Sequence, residues 1–186
     1  LEPSMEFAKK DVAYVYAFAK KNGFEDSQLQ SWDFSYWSEK YQQAEYSLSA
    51  EELKPYFQLE SCIDAVLGLA TRLYGITFKE LDNVPVYHPD VKVYEVNDAD
   101  GRHLALFYAD FFPRASKRGG AWMTEFRGQS IRNGVEYRPF ISTVMNFTKP
   151  TADAPALITH DELVTFLHEF GHALHGIFAE GRYGSL

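Results

Sequence analysis

The stretch that decides the fold of this chain is His168-Glu169-Phe170-Gly171-His172. Apolar residues recur around it at the spacing of an α-helix, and two residues four positions apart on a helix project from the same face. His168 and His172 therefore share one stripe of the predicted helix. Glu169 projects about 100° further round the helix axis, so its carboxylate reaches the space beside the histidines without lying between them.

This spacing is the one by which a helix offers two neutral imidazoles to a zinc ion. We predict that His168 and His172 bind Zn²⁺, one ion in each complete active site, and that Glu169 is the general base that acts on a zinc-bound water. A chance match is the alternative, but it would more often fall on a solvated helix or in a loop. Here the motif lies in a strongly apolar segment, where polar groups without partners cost free energy.

The residues around the motif define the helix more closely. Thr159 and Glu162 have the spacing of a capping box, with Thr159 as the N-cap and Glu162 at the third helical position. The apolar residues that follow cover a wide surface, so we expect a largely buried helix. They are Leu163, Phe166, Leu167, Phe170, Leu174, Ile177 and Phe178.

Composition indicates a globular protein, because 46% of the 186 residues are hydrophobic and 16% are aromatic. The net charge is −8 and the basic residues are scattered, so we expect no nucleic-acid partner. No apolar run approaches the roughly 20 residues of a membrane span, and we expect no membrane partner. Cys62 is the only cysteine. We interpret it as a small buried hydrophobic residue that fits a reducing, cytoplasmic location.

Helices precede strands along the chain. Four segments have helical spacing, namely residues 5–22, 31–47, 49–54 and 60–74. The second of these we expect to be N-capped by Ser31 or Asp33. Near Ile76 the period changes to two, and strands are predicted over residues 77–81, 91–96, 104–110 and 139–147. This order predicts an α+β fold with N-terminal helices, a small mixed sheet rich in antiparallel pairs, and then the buried metal helix.

We expect residues 1–186 to form one domain-sized part of a catalytic domain. Its predicted parts are a helical part (1–75), a sheet (76–148), and a loop followed by the metal helix (149–186). The first residue is Leu1, and no signal pattern follows it. Both ends look cut from a longer protein, so we expect an internal fragment of that protein.

Several blocks of the sequence resemble the family of zinc metallopeptidases that contains thimet oligopeptidase, oligopeptidase A and peptidyl-dipeptidase (dipeptidyl carboxypeptidase). These blocks are residues 57–78, 84–91, 117–122, 155–163 and 168–175. The resemblance implies cleavage of short peptides in a deep channel between two mostly helical lobes. It implies that this chain is part of a larger, mostly helical zincin-like peptidase. It also implies that His168 and His172 are zinc ligands and that Glu169 is the base.

The sequence departs from this family at the third zinc ligand, a glutamate that lies on a helix well beyond the motif. The chain stops at Leu186, and Glu180 lies too near the end of the metal helix to take that place. The substrate-contacting residues of the family are also expected beyond Leu186. We therefore expect the isolated chain to be inactive, to bind zinc weakly or not at all, and to self-associate through surface that truncation exposes.

Two other functions compete with this hypothesis. The chain could be a catalytically inactive metal-binding or interaction fragment, but Glu169 weighs against that because a structural zinc site has no use for a base. Another H-E-x-x-H hydrolase, such as an aminopeptidase, would be expected to carry an upstream motif for the substrate amine, and we find none.

The sheet is expected to lie beside the metal helix, because a single loop joins its last strand to that helix. We predict that an edge of this sheet pairs with an extended peptide, through residues 119–124 or 140–147. The segment Lys117-Arg118-Gly119-Gly120 is interpreted as a flexible basic turn, because no strand–loop–helix context for phosphate binding is evident.

Overall fold

A computed structural model describes the backbone of residues 2–47 and 50–181. The chain forms two compact units, Leu1–Glu52 and Leu53–Leu186. Helices and a mixed sheet are both present, so the predicted α+β class is confirmed. The structure divides the chain after Glu52, whereas the sequence led us to end the helical part at residue 75.

The first unit is built on two helices, α1 (Glu2–Lys21) and α2 (Ser31–Tyr46). They pack through aromatic side chains, with the ring of Phe18 5.5 Å from that of Tyr41. The expected N-cap of α2 at Ser31 or Asp33 is wrong, because Gln30 holds that position. Asp33 instead accepts a hydrogen bond from the backbone N–H of Gln30 at 3.0 Å, as the third helical residue of a capping box does.

The remaining elements follow a short helix, α3 (Ala50–Leu53), and a 3₁₀ turn at Lys54–Tyr56. They are α4 (Leu59–Tyr74), β1 (Thr77–Glu80), β2 (Lys92–Asn97), β3 (His103–Asp110), β4 (Trp122–Arg127), β5 (Ser130–Arg132), β6 (Val135–Tyr137), β7 (Phe140–Val144) and α5 (His160–Ile177). Five strands form one sheet in the order β1-β2-β3-β7-β4, and β5 pairs only with β6. The β3–β7 pair is parallel and the other pairs are antiparallel. The sheet is therefore mixed and rich in antiparallel pairs, as predicted.

Two faces of the five-stranded sheet are covered differently. Helices α4 and α5 pack on one face, which we call the helix face, and form the larger core with Phe107 and Ile141. The other face, which we call the loop face, carries a smaller cluster of Val91, Val93 and Tyr108. Because α4 shares its core with the sheet, it belongs to the second unit.

Helix α4 buries its apolar stripe in this core, including Cys62. Burial raises the pKa of the Cys62 thiol, which fits the interpretation of a small hydrophobic side chain rather than a nucleophile. Gly75 ends the helix in the left-handed conformation at φ +75°, and its N–H donates to the Thr71 carbonyl at 2.8 Å.

Helix α5 begins where the capping box predicted. The Thr159 side chain accepts from the backbone N–H of Glu162 at 3.1 Å, and the Glu162 carboxylate accepts from the Thr159 N–H at 2.7 Å. The expectation of a largely buried helix is wrong for one side of it. Phe166 and Phe170 lie in the core, but Leu167 keeps 39% of its surface exposed and the two histidines of the motif are exposed.

The C-terminal end of α5 is held by a buried arginine, Arg138. Its guanidinium donates to the carbonyls of Leu104 at 2.8 Å, Ile177 at 2.9 Å and Ala179 at 3.1 Å. The last carbonyls of a helix have no partner within the helix, so the bond to Ile177, the last residue of α5, satisfies one of them. Arg138 thereby ties α5 to the end of the sheet.

Close contact between α5 and the sheet depends on Gly176. A Cβ atom at this position would lie 2.7 Å from Cδ1 of Ile141 and 3.2 Å from Oε1 of Glu125. Ile141 is fully buried, and protein interiors are close-packed, so a shift of its side chain costs free energy. Glycine at this position therefore lets the helix lie this close to β7 and β4 without displacing Ile141.

We expect Gly176→Ala to lower the free energy of unfolding by about 1–3 kcal/mol, because the added methyl group overpacks the interface. The matched control is Gly171→Ala in the same helix, where a Cβ atom would meet nothing within 4 Å. That change should raise the stability by roughly 0.5–1 kcal/mol, since alanine favours the helix over glycine. Urea unfolding followed by circular dichroism checks both, and equal effects of the two changes would contradict the packing argument.

Candidate active site

The two histidines of the motif converge on the exposed side of α5. Nε2 of His168 lies 3.2 Å from Nε2 of His172, and the two rings meet edge to face with their centroids 4.8 Å apart. Two nitrogens bound tetrahedrally to zinc at 2.0–2.1 Å are about 3.3–3.4 Å apart. The imidazole pair therefore has the spacing of two zinc ligands.

Glu169 lies next to this pair and is half-buried. Within residues 2–47 and 50–181, no hydrogen bond or ion pair engages its carboxylate. A carboxylate in that condition is available to accept a proton from a water held near the histidines. The structure thus places all three predicted site residues on one side of one helix.

A third metal ligand is absent from the part of the chain that the structure describes. No group of three or more His, Cys, Asp or Glu side chains with the arrangement of a metal site occurs there. Glu180 is engaged elsewhere, because its carboxylate accepts from Arg102 at 3.1 Å and that arginine also contacts Asp98. The described residues could hold zinc through two imidazole ligands, which is part of the usual coordination.

Strand β4 forms an edge of the sheet directly beside α5. Helix α5 packs on β7, β4 and β3, and β4 is the last strand in the sheet order on that side. The predicted pairing of a peptide through residues 140–147 is wrong, because β7 lies between β3 and β4. Residues 122–124 of the other predicted stretch do lie on the edge strand, whose outer side pairs with no other described strand.

An ion-pair cluster on the loop face fixes the segment that leads into β4. The Asp110 carboxylate is buried and accepts two hydrogen bonds from Arg114, at 3.0 and 2.9 Å, one from Lys117 at 2.9 Å and one from the Tyr87 hydroxyl at 3.0 Å. Burial raises the pKa of Asp110, but the hydrogen bonds from Arg114 and Lys117 outweigh that effect and hold its pKa below the usual range. Burial also raises the pKa of Tyr87, to about 12.

The interpretation of residues 117–120 as a flexible basic turn is wrong for Lys117. Its side chain is 3% exposed, and Nζ donates to the Asp110 carboxylate, the Asp110 carbonyl and the Phe112 carbonyl. Next to it, the Asn146 side chain donates to the carbonyls of Arg118 at 3.0 Å and Gly120 at 2.7 Å. The segment is therefore fastened to the sheet on both sides.

A helix with two convergent histidines and an adjacent glutamate is typical of the zinc peptidases. This chain belongs to peptidase family M3, whose family model matches residues 3–186. The resemblance found in the sequence is thereby confirmed.

Curated relatives of this chain carry peptidase names. Dipeptidyl carboxypeptidase of Escherichia coli (strain K12) is 47% identical over 182 residues, which are 96% of this chain and 26% of that protein. Dipeptidyl carboxypeptidase of Salmonella typhimurium is 48% identical over 159 residues, 85% of this chain and 23% of that protein. Oligopeptidase A of Escherichia coli (strain K12) is 43% identical over 168 residues, 90% of this chain and 25% of that protein. The chain spans about a quarter of the length of these relatives.

Proposed function

We propose that this chain is the middle part of a zinc-dependent peptidase that hydrolyses short peptides, as an oligopeptidase or a peptidyl-dipeptidase. The observation that carries the proposal is the 3.2 Å separation of the His168 and His172 Nε2 atoms on the exposed side of a helix seated against an edge strand. The names of the relatives, dipeptidyl carboxypeptidase and oligopeptidase A, agree with peptides as the substrate class.

His168 and His172 would hold the metal, and Glu169 would move the protons. When bound, zinc supplies a Lewis acid and lowers the pKa of a coordinated water towards about 7. Glu169 accepts a proton from the water that attacks the scissile carbonyl, and it then delivers that proton to the leaving amine. Its freedom from ion pairs among the described residues supports this role, because a carboxylate held by a cation is a weaker base.

Strand β4 would bind the substrate backbone. An extended peptide that pairs with a free sheet edge gains main-chain hydrogen bonds that do not depend on its side chains. Because α5 packs against β4, a peptide at this edge would pass close to the histidines. Backbone recognition of this kind suits an enzyme that accepts many short peptides.

The complete site would draw on residues outside this chain. We propose that a third ligand, the substrate-contacting residues and the second helical lobe come from the rest of a full-length protein of the relatives' size. The isolated chain would then be inactive, and apolar side chains such as Val164, 50% exposed, and Leu167 beside the histidines would favour self-association.

A cytoplasmic location is proposed for the full-length protein. No helix of the described residues is long and apolar enough to cross a membrane. The relatives' names include a probable cytosolic oligopeptidase A and an organellar oligopeptidase A, both of Arabidopsis thaliana. The single cysteine is buried, which agrees with a reducing compartment.

A catalytically inactive metal-binding fragment is the second candidate function. Its support is that the described residues present two imidazole ligands and no third. The two candidates differ in what the full-length protein does with a peptide, because only the peptidase turns it over.

Replacing either His168 or His172 by alanine in the full-length protein should lower its affinity for zinc by at least about 100-fold, and the purified variant should carry less zinc. Its kcat/KM for peptide hydrolysis should also fall by at least about 100-fold. The matched control is His160→Ala, a histidine of the same helix about 12 Å before His168 along the axis. Zinc content is measured by atomic absorption and hydrolysis with a fluorogenic peptide. Full zinc loading and activity in both variants would contradict the proposed ligands.

A further inference from the structure

A pocket of about 440 Å³ lies on the loop face of the sheet, outside the histidine site. Its walls include the aromatic side chains of Tyr87, Trp122 and Phe126, and Val144 of β7 also lines it. Its charged residues come from the end of β3 and from the segment between β3 and β4. The pocket therefore combines apolar walls with a charged side.

The charges in this pocket do not balance. Arg114, Lys117 and Arg118 line it together with a single carboxylate, that of Asp110, so the local charge is positive in a chain whose net charge is −8. Asp110 is already saturated by three neighbouring donors. The pocket thus offers an anion more positive charge than its own carboxylate neutralises.

Arg118 is the cation that remains available to a ligand. Lys117 uses its three N–H groups on Asp110 and Phe112, and Arg114 is committed to Asp110. The Arg118 guanidinium is exposed, lies 5.4 Å from the centre of the Trp122 ring, and forms no ion pair with any described residue. Stacking on an aromatic ring and a fastened backbone hold this guanidinium ready for an anion without neutralising it.

The pocket lies on the side of β4 where every second side chain of a peptide paired with that strand would be placed. Trp122, Thr124 and Phe126 of β4 all line it. Side chains of a strand alternate between the two faces of a sheet, and residues opposite each other on paired strands share a face. A peptide paired with β4 would therefore place every second side chain beside these residues on the loop face.

We propose that this pocket is a subsite for a carboxylate of the bound peptide, with Arg118 as the residue that binds it. The inference rests on the proposed peptidase function and adds a side-chain preference to recognition through the backbone. The carboxylate could belong to an Asp or Glu side chain or to the C-terminus of the peptide, and both present the same planar group to a guanidinium.

The test uses the full-length protein with Glu169→Gln, so that peptides bind without being cleaved. Calorimetry measures the dissociation constants of a series of pentapeptides whose other side chains are uncharged. Each peptide carries one Glu, or Gln in its place, at a different position along the peptide. Each is made with a free and with an amidated C-terminus. At one position Glu should bind about fivefold more tightly than Gln, the upper range for a partly exposed ion pair. If the preference instead follows the free C-terminus, the C-terminal carboxylate is the group that Arg118 binds.

Arg118→Gln should abolish this preference, whereas the control Arg132→Gln, an exposed arginine on β5, should leave it unchanged. High salt should weaken the preference, since exposed ion pairs are screened. Equal binding of Glu and Gln peptides at every position, with no effect of amidation, would overturn the proposal, and so would an equal effect of both arginine variants. Absence of peptide hydrolysis by the protein with intact Glu169 would instead refute the proposed function, so the two failures are distinguishable.

Discussion

Glu169→Gln in the full-length protein is expected to lower kcat for peptide hydrolysis by about 10³- to 10⁴-fold, near the upper end of the contribution of a general base. Glutamine has the size of glutamate but cannot accept the proton of the attacking water. The zinc content should stay at one ion per site, because Glu169 lies beside the two proposed ligands, His168 and His172, and is not one of them. Activity and metal content are therefore expected to separate in this variant.

The measurement pairs a fluorogenic peptide assay with metal analysis of the same protein sample. Glu162→Gln is the matched control, because it makes the same chemical change in the same helix and glutamine also completes a capping box. That control should keep both activity and zinc. Loss of zinc together with activity in the Glu169 variant would mean that Glu169 is a ligand, and full activity would mean that it is not the base.

The second large effect concerns the 186-residue chain by itself. We expect it to bind zinc at least about 100-fold more weakly than the full-length protein. Loss of a group that only hydrogen-bonds to a metal ligand already lowers metal affinity or activity by about 10- to 100-fold, and here a ligand itself is missing. His168 and His172 supply two imidazoles, and water or buffer would have to complete the coordination. Peptide hydrolysis by this chain should be undetectable.

Calorimetric titration with zinc measures this affinity, and analytical ultracentrifugation run in parallel reports whether chains associate. A neighbouring chain could complete the coordination, so the affinity is compared at two protein concentrations. A nanomolar dissociation constant in a monomer with brisk peptide turnover would show that a third ligand lies within these residues.

Features that depend on a few neighbouring residues could be predicted from the sequence. The capping box of Thr159 and Glu162 is a local hydrogen-bond pattern, and it begins α5 as expected. The i, i+4 spacing of His168 and His172 needs only helical geometry to bring their Nε2 atoms together. The change of period near Ile76 marked the first strand for the same reason, because side-chain alternation is a local property.

Strands β4, β5 and β6 are not among the strands predicted from side-chain periodicity, although residues 119–124 were predicted as one possible edge of the sheet. In β4, Trp122 and Phe126 line the loop-face pocket while Met123 packs against the helix-face core, so apolar residues face both sides and no alternation is visible. The β5–β6 hairpin could have been predicted from the Asn133-Gly134 pair between its strands. Asn133 and Gly134 take φ values of +52° and +77°, as the central residues of a type I′ turn do.

Features that depend on distant residues could not be read from the sequence. Lys117 is buried because Asp110 and the carbonyls around it supply partners from the end of β3. The exposed side of α5 follows from how the helix sits on the sheet, which Gly176 and Arg138 decide. Its high apolar content alone led to the prediction of a largely buried helix.

The central claim, that His168 and His172 together bind one zinc ion, is tested most directly by anomalous diffraction at the zinc absorption edge from crystals of the zinc-loaded full-length protein. The account predicts one anomalous peak about 2.0–2.1 Å from the Nε2 atoms of both histidines. An anomalous map with no peak there, or with its zinc bound to other side chains, would contradict it.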